Sequence, residues 1–350
     1  MNLSSRWTTR EGNELTGIIL NLLRKGESSG VTQIAGKHDG RCDLRGFSFP
    51  KPKRTGQPIK LKGHKVELIS DATEFEGVVV EDVDFSDADM IELAWTRCSF
   101  SNCKFDHTRL DDAAFFDCRI SKCVFVNSNL TGCVLGGHIG NHSGELMDSV
   151  FKDGMFKDVV FAFPRIERCK FDCNITNVDF NGSQLTDCWF TGRLDKVIFR
   201  RRPGESVTDK ATWARLRPEN RMENVDFSEA SLYDVDFWNG VDLTKCRLPR
   251  KRGLFLVLDG PSVFAEARKE IESSWKGEER RIGLGFTINY YLDRIKSGQR
   301  HFLVDEESII EDWGKSLGLR YSALIRRIAQ SQGFLRELCD ASESRSHSPR

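Results

Sequence analysis

A large apolar side chain at every fifth position is the feature of this chain that most limits its fold. The series runs unbroken over 75–135, resumes over 151–199 and returns over 227–248. Two residues before each large side chain stands a small or β-branched one, with Leu93 and Pro164 as the departures. A period of five fits neither the helical turn of 3.6 residues nor the two-residue repeat of a strand. The chain is therefore predicted to turn a corner every five residues.

Such a chain makes a square coil in which each side turns one large and one small residue inward and leaves the others outside. Four repeats complete a coil, so residues twenty apart should stack, as in Phe85, Phe105 and Phe125. At a spacing of about 4.8 Å between neighbouring strands, the repeats amount to roughly seven coils. Each coil buries its apolar edges only against its neighbours, so both ends of the rod need caps.

Short segments of the repeat carry a family resemblance. Four of them resemble the A(D/N)LXX unit of the pentapeptide-repeat family: Asp84-Phe85, Ala88-Asp89-Met90, Asn129-Leu130 and Val225-Asp226-Phe227. The resemblance extends over about half of the chain and implies a mainly β fold, a right-handed quadrilateral β-helix at 73–248. The family motif encodes a scaffold, so it implies little about the particular function.

The repeat is interrupted twice and slips in phase. The interruptions at 136–148 and 200–223 are rich in polar residues and contain glycine or proline, and a short helix is predicted at 210–217. Shifts of one residue follow Phe171, Phe190 and Phe237. We predict that the interruptions project from the rod and that the shifts form bulges or looped-out segments.

The segment 1–72 is predicted to cap the first coil. It should contain a helix at 11–24, an initial coil at 42–49 and a basic stretch at 51–65. The expected apolar face of the helix consists of Leu15, Ile18, Ile19, Leu22 and Leu23.

The segment 249–340 is predicted to form a separate, mostly α-helical domain, followed by a disordered tail at 341–350. The expected elements are a strand at 254–258 and helices at 262–274 and 306–339, the last broken at Gly318. Leu324, Ile328 and Leu335 belong to an apolar face of this domain. That face is predicted to close the rod, to pair two copies as a homodimer or to hold a protein partner.

The 11 cysteines invite a disulfide or zinc interpretation, but their spacing assigns them to packing. Nine occupy the small inward position, and none makes the C-x-x-C spacing of a zinc site. Parallel thiols in a reducing cytosol should stay unpaired. His138, His142 and Glu145 superficially resemble metal ligands, but the glycines among them oppose the helix that such spacing requires. No Ser/His/Asp arrangement stands out either. We therefore predict no metal, no cofactor and no enzyme activity.

Charge is distributed unevenly along the chain. The formal net charge is zero, yet residues 1–70 sum to +7 and residues 249–350 to +3, which leaves −10 for the middle. The acidic candidates for an interaction site are Glu81, Asp82, Asp84, Asp87 and Asp89. The basic candidates are Arg200, Arg201 and Arg202.

A rigid rod with projecting loops predicts a non-enzymatic scaffold that binds one or more proteins. The family resemblance implies an alternative, because some acidic pentapeptide-repeat rods imitate duplex DNA and bind type II topoisomerases such as gyrase. Basic residues in the later coils and the lack of a continuous acidic stripe weigh against it. Direct nucleic-acid binding has the least support. Because no apolar stretch is long enough to span a bilayer, we expect a cytoplasmic protein without a membrane partner. The family resemblance implies a bacterial protein.

Overall fold

A computed structural model describes residues 3–51, 53–54, 59–61, 64–66, 69–70, 74–139, 142–202 and 219–339. The predicted helix at 210–217 and the predicted tail lie outside the described residues. None of the described helices is both long and apolar enough to cross a membrane.

The repeat winds into a right-handed, four-sided β-helix of parallel strands, as the period of five predicted. Phe75, Trp95 and Phe115 pair in register on the first side, twenty residues apart. The strands of the first side are Glu74–Glu76, Ala94–Thr96, Ala114–Phe116, Val134–Gly136 and Val160–Ala162. Those of the second side are Val79–Glu81, Ser99–Ser101, Arg119–Ser121, Glu145–Met147, Arg165–Glu167 and Gln184–Thr186. The third side contains Val83–Asp84, Val124–Val126, Val150–Lys152 and Lys170–Asp172, and the fourth contains Phe156–Lys157 and isolated bridges.

Stacked aromatic rings fill the interior. On the third side the rings of successive coils lie nearly parallel, with centroids 4.6 to 5.2 Å apart, close to the strand spacing. Small polar residues fit beside them, because Thr108 Oγ1 donates to the carbonyl of Phe85 in the coil before. At the corners, the second residue after the large one adopts a left-handed backbone conformation, as Asp87 and Asn102 do. Asp and Asn adopt this conformation more readily than most other residues.

The first interruption is shorter than predicted. His138–Ile139 and His142–Ser143 form an antiparallel hairpin outside the coil. Glu145–Met147, assigned to the interruption, is already a strand of the second side, and Leu146 stacks on Ile120 with 1% of its surface exposed. The inserted residues leave the coil and return to it at one corner. The second side therefore resumes at Leu146, which is 26 residues after Ile120 instead of 20.

The second interruption is also shorter than predicted at both ends. Arg200 is the last residue of the strand Trp189–Arg200, and the buried Met222 fills the next large inward position. The bridge between Thr186 and Glu223 confirms that this side of the coil is complete. Asn220, at the small inward position, bonds the backbone nitrogen of Leu185 through its amide oxygen.

The phase slips after Phe171 and Phe190 are absorbed by coils of 19 residues, whereas the slip after Phe237 adds one residue before Leu243. Each of these coils has one side of four residues, from Phe171 to Ile175 and from Phe190 to Leu194. The two short sides stack directly on each other, because Ile175 pairs with Leu194 and Phe180 with Phe199. A bulge then lies between Trp189 and Thr191, where the next coil regains its fifth residue. The longest strands turn corners: Ile175–Phe180, Trp189–Arg200 and Asp226–Trp238.

Three helices close the N-terminal end: α1 (Ser5–Thr8), α2 (Arg10–Arg24) and α3 (Ser28–Ala35). The apolar face predicted for α2 was partly wrong, because Ile19, Leu20 and Leu23 are buried while Leu15 and Ile18 are 37% and 49% exposed. Two overlapping apolar stripes run along this helix, and the one that includes Leu20 meets the rod.

An initial partial coil follows these helices. Arg41–Asp43 pairs with Val83–Asp84, and Ser48 bridges to Asp89. The basic stretch that follows contains two small ladders, Lys53–Arg54 with Ile69–Ser70 and Ile59–Leu61 with His64–Val66. Asp43 ties the initial coil to the cap. Burial alone would raise the pKa of this carboxyl, but hydrogen bonds from Arg45 and Arg6 outweigh it and lower the pKa to about 2.

A mixed domain closes the other end, after a 3₁₀ turn at Leu243–Lys245. Its antiparallel sheet contains Leu254–Val257 between Phe302–Asp305 and Leu335–Glu337. Its helices are α4 (Gly260–Ser274), α5 (Gly277–Phe286), a π-helical turn (Thr287–Leu292), α6 (Asp293–Lys296), α7 (Glu306–Trp313) and α8 (Lys315–Ser331). Leu254 and Leu256 pack on the rod, whereas Phe255 and Val257 face the helices. The sheet is therefore the C-terminal cap.

The predicted helix break at Gly318 was wrong. The break lies at Gly314, whose φ of 79° favours glycine, and α8 continues through Gly318. A Cβ at Gly318 would lie 2.7 Å from Cα of Ile310, so this glycine permits the close approach of α7 and α8.

Candidate interaction surfaces

The acidic candidates surround one coil instead of forming a stripe along the rod. Glu81 and Asp82 end the second side, Asp84 and Asp89 lie on the third and fourth sides, and Asp87 is at the corner between those two. The coil that follows places Ser101, Asn102, Lys104, His107 and Arg109 over them. Because neutral or basic residues follow each carboxylate, no column of negative charge develops along the rod.

Two of these carboxylates are covered. Asp84 is 2% exposed and accepts hydrogen bonds from the backbone nitrogen and hydroxyl of Ser86, at 2.9 and 2.5 Å. Asp89 forms ion pairs with Arg109 at 3.3 Å and with Lys51 at 3.7 Å. Only Glu81, Asp82 and Asp87 remain exposed from the predicted group.

The basic candidates are neutralised by neighbouring carboxylates. Arg200 bonds Asp179 at 2.8 Å across adjacent coils. Arg201 and Arg202 both contact Glu219, at 2.5 Å in each case. These arginines therefore hold the rod together at the second interruption, which argues against a phosphate site there.

The predicted apolar face of the C-terminal domain is not a surface. Leu324 and Ile328 are 5% and 3% exposed and belong to the core that α8 shares with α4, and Leu335 is a half-buried strand residue packed against that core. The face is covered because the sheet and helices of the same domain fold over it. These residues are therefore unable to join two copies or hold a partner while the domain is folded.

The cysteines pack as predicted. The 11 cysteines form no disulfide, and ten are buried, including Cys42 of the initial coil. Several donate to the carbonyl of a large residue in the preceding coil, as Cys98 does to Phe75 at 3.3 Å. Burial raises the pKa of the Cys246 thiol to about 12, which disfavours the reactive thiolate.

The suggested metal ligands do not form a described cluster. Glu145 lies on a strand beyond the hairpin and pairs with Arg119 at 2.8 Å. Within the described ranges, no group of three or more His, Cys, Asp or Glu side chains is placed to hold a metal ion.

An exposed surface that sequence reasoning missed lies on the first side of the rod. The outward residues of four successive coils carry no charge: Ala94, Thr96, Ala114, Phe116, Val134, Gly136, Val160 and Ala162. We call this surface the uncharged strip. Phe116 is 40% and Val160 is 51% exposed. The flanking residues on this side carry no charge in the sequence, but the insertion after Gly136 breaks the spacing by which Val134 and Val160 could be aligned.

The uncharged strip is bounded by charge and by the hairpin. Glu74 and Glu76 precede it, and Asp179 follows it on the same side. The hairpin leaves the rod directly after Gly136, whose backbone lies so close to the next coil that a Cβ would be 2.7 Å from the carbonyl oxygen of Ala162. By contrast, outward residues of the second side form ion pairs, including Arg165 with Glu167.

This fold defines a class of protein: a right-handed quadrilateral β-helix with a cap at each end. The family profile described as pentapeptide repeats matches in eight copies, over residues 81–115 and 96–132. Residues 81–132 of this chain are therefore pentapeptide repeats.

Solved structures of three pentapeptide-type proteins are similar to this chain. QnrB1 after trypsin treatment, described as a plasmid-mediated fluoroquinolone resistance protein, is 12% identical with a TM-score of 0.23, covering 56% of this chain and 90% of its own. HetL, involved in heterocyst differentiation regulation in the cyanobacterium Nostoc sp. strain PCC 7120, is 14% identical with a TM-score of 0.19. The match covers 50% of this chain and 85% of HetL. Rfr23 from the cyanobacterium Cyanothece 51142 is 10% identical with a TM-score of 0.19. The match covers 50% of this chain and 90% of Rfr23. No protein with a curated description matches the sequence.

Proposed function

We propose that this protein is a non-enzymatic scaffold that binds a protein partner along the uncharged strip. The observation that carries the proposal is an uncharged surface over four coils of a regular rod, half-buried for the most part and exposed at Phe116 and Val160. Contiguous apolar surface of this kind is typical of protein-binding sites. Its strands are fixed on both sides by neighbouring coils, so binding costs little conformational entropy.

The two ends of the rod support this assignment. Both are covered by the chain's own caps, so the aromatic interior is unavailable to a partner and recognition has to use outward residues. Among those, charged side chains on the second side already pair with each other. Burial of the uncharged strip would break no ion pair of its own residues, because none of them is charged.

The test is a double substitution, Phe116→Glu with Val160→Glu, made in the full-length protein. Crosslinking in cells followed by affinity purification should identify a partner for the unchanged protein and lose it with the double variant. Val126→Glu, on the opposite side of the rod, is the control and should keep that partner. Thermal melting checks that all three proteins are folded. A partner retained by the double variant, or no partner at all, would contradict the proposal.

A second candidate function is binding of a type II topoisomerase by imitation of DNA. Its support is the net charge of −10 in the middle of the chain, together with the exposed Glu81, Asp82 and Asp87. A charged surface of this sign would be attracted to a basic DNA channel. DNA supercoiling by purified gyrase should then change when this protein is added. Unchanged supercoiling at a molar excess would exclude the interaction.

A further inference from the structure

A cleft lies where the last coils of the rod meet the C-terminal domain. Its volume is about 350 Å³, and residues from both parts line it. The rod contributes Leu232 and Asp234, and the domain contributes Phe286, Ile309 and Asp312. Ile309 is 5% exposed, whereas Asp234 and Asp312 are exposed residues. The cleft therefore combines an apolar interior with carboxylates at its rim.

Negative charge in the cleft is not balanced. Asp234 and Asp312 form no ion pair with any described residue, although Lys196 also lines the cleft. Burial raises the pKa of Asp234 and the negative charge of Asp236 raises it further, whereas Lys196 lowers it; Asp195 and Asp312 raise it by smaller amounts. A positive group placed between Asp234 and Asp312 would relieve this repulsion.

A third carboxylate of the cleft is already used. Asp305 forms an ion pair with Lys251 at 3.0 Å, and its side chain accepts from the backbone nitrogen of Glu307 at 3.1 Å at the start of α7. The surplus charge therefore belongs to Asp234 and Asp312.

A tyrosine hydroxyl in the same cleft makes no hydrogen bond to a described residue. Tyr291 lines the cleft and is 2% exposed, and its hydroxyl makes no hydrogen bond to a described residue. The neighbouring buried phenols are bonded: Tyr290 donates to Asp236 at 2.6 Å, and Tyr321 shares a hydrogen bond of 2.8 Å with Thr287. The side chain of Tyr291 is almost entirely buried, and its hydroxyl is free to bond a polar group of a ligand that enters the cleft.

We propose that this cleft binds a lysine or arginine side chain of a protein partner, an inference that rests on the proposed scaffold function. The aliphatic stem of such a side chain would lie on Leu232 and Phe286. Its charged group would meet Asp234 and Asp312, and Tyr291 would supply a further acceptor.

The composition of the walls distinguishes this site from a metal site. Metal ions such as Mg²⁺ and Ca²⁺ require several converging oxygen ligands, whereas an organic cation also gains from aromatic and apolar contacts. In the described part of the chain, no cluster of metal-ligating side chains occurs in this cleft or elsewhere.

The test measures binding of small probes to the full-length protein by NMR. Nα-acetyl-lysine methylamide presents the cationic side chain, and Nα-acetyl-norleucine methylamide presents the stem without the charge. We expect the lysine probe to bind about tenfold more tightly, from two partly exposed charge interactions. Asp234→Asn with Asp312→Asn should abolish that preference, and Tyr291→Phe should weaken binding of the lysine probe.

The matched control is Glu311→Gln, because Glu311 is exposed on α7 next to Asp312 but does not line the cleft. It should keep the preference for the lysine probe. Equal affinity for the two probes, or a preference that survives the double substitution, would overturn the proposal. The probes need no partner protein, so failure here is distinguishable from failure of the scaffold function, which is measured at Phe116 and Val160.

Discussion

Replacing Phe105 by alanine removes one ring from the middle of the aromatic stack on the third side. Phe105 is 0% exposed, and its ring centroid lies 5.2 Å from that of Phe85 and 4.6 Å from that of Phe125. A buried Phe removes about 200 Å² from water, which at about 25 cal/mol per Å² sets an upper limit near 5 kcal/mol. Because hydrogen-bonded strands hold the coils apart, the cavity cannot collapse. We expect a loss of about 3–5 kcal/mol in the free energy of unfolding.

The assay is equilibrium unfolding in urea, followed by circular dichroism, with recovery of the signal on dilution as the check of reversibility. Phe116→Ala is the matched control, because Phe116 has the same side chain but points outward and is 40% exposed. It should cost only about 1 kcal/mol, since surface substitutions have small effects. Equal losses at the two positions would refute the argument that burial inside the coil sets the energy.

The buried thiols, the junction of rod and domain, and the N-terminal cap each offer a further measurement. Titration with a thiol reagent should find Cys339 alone accessible in the native protein and 11 thiols after unfolding; rapid native reaction of several thiols would contradict their burial. Asp236→Asn removes the ion-pair partner of the buried Arg294 and should lower the free energy of unfolding in urea by about 3 kcal/mol. The control is Asp293→Asn, in an exposed ion pair, which should lower it by about 0.5 kcal/mol. Similar values for the two variants would show that the buried pair does not hold the junction. Asp43 has a folded pKa of about 2, below its ordinary value of 3.8, so its stabilisation is present above about pH 4 and is lost as the pH falls through 2. Between about pH 4 and pH 2 the unfolding free energy of the Asp43→Asn variant should therefore fall by roughly 2 kcal/mol less than that of the unchanged protein. The same pH profile for both proteins would disprove the assignment.

The interior of the rod was predictable because its pattern is local. Each side of the coil needs one large and one small inward residue, so the stacking of Phe85, Phe105 and Phe125 follows from counting in fives. The same count placed Cys98 in the small inward position before any contact was known. Packing of this kind depends on spacing along the chain and on little else.

The interruptions show where counting fails. Leu146 and Met222 fill inward positions, but each follows an insertion whose length bears no relation to five. A similar limit applied to the helices. A glycine at position 318 predicts a helix break, but Gly318 lies within α8 and permits the close approach of α7. The break is at Gly314.

The candidate surfaces were predicted less well than the fold. Leu324 and Ile328 have the spacing of an exposed apolar face, but the same spacing serves a helix in the core of its own domain. Arg201 is basic in sequence but is paired with Glu219, at the far end of the second interruption. In both cases the deciding contact comes from a segment distant in sequence.

The sequence by itself determined the period of five, and with it the coil, the inward aromatic and cysteine residues, and the need for caps. These follow because each repeat meets the same steric demand wherever it stands in the rod. The tertiary structure alone decided which outward residues come together: the uncharged strip brings together residues 20 or 26 apart, and the cleft joins Asp234 to Asp312 across two domains. Surfaces depend on the exact lengths of insertions and on the docking of separate segments, and no short-range pattern encodes either.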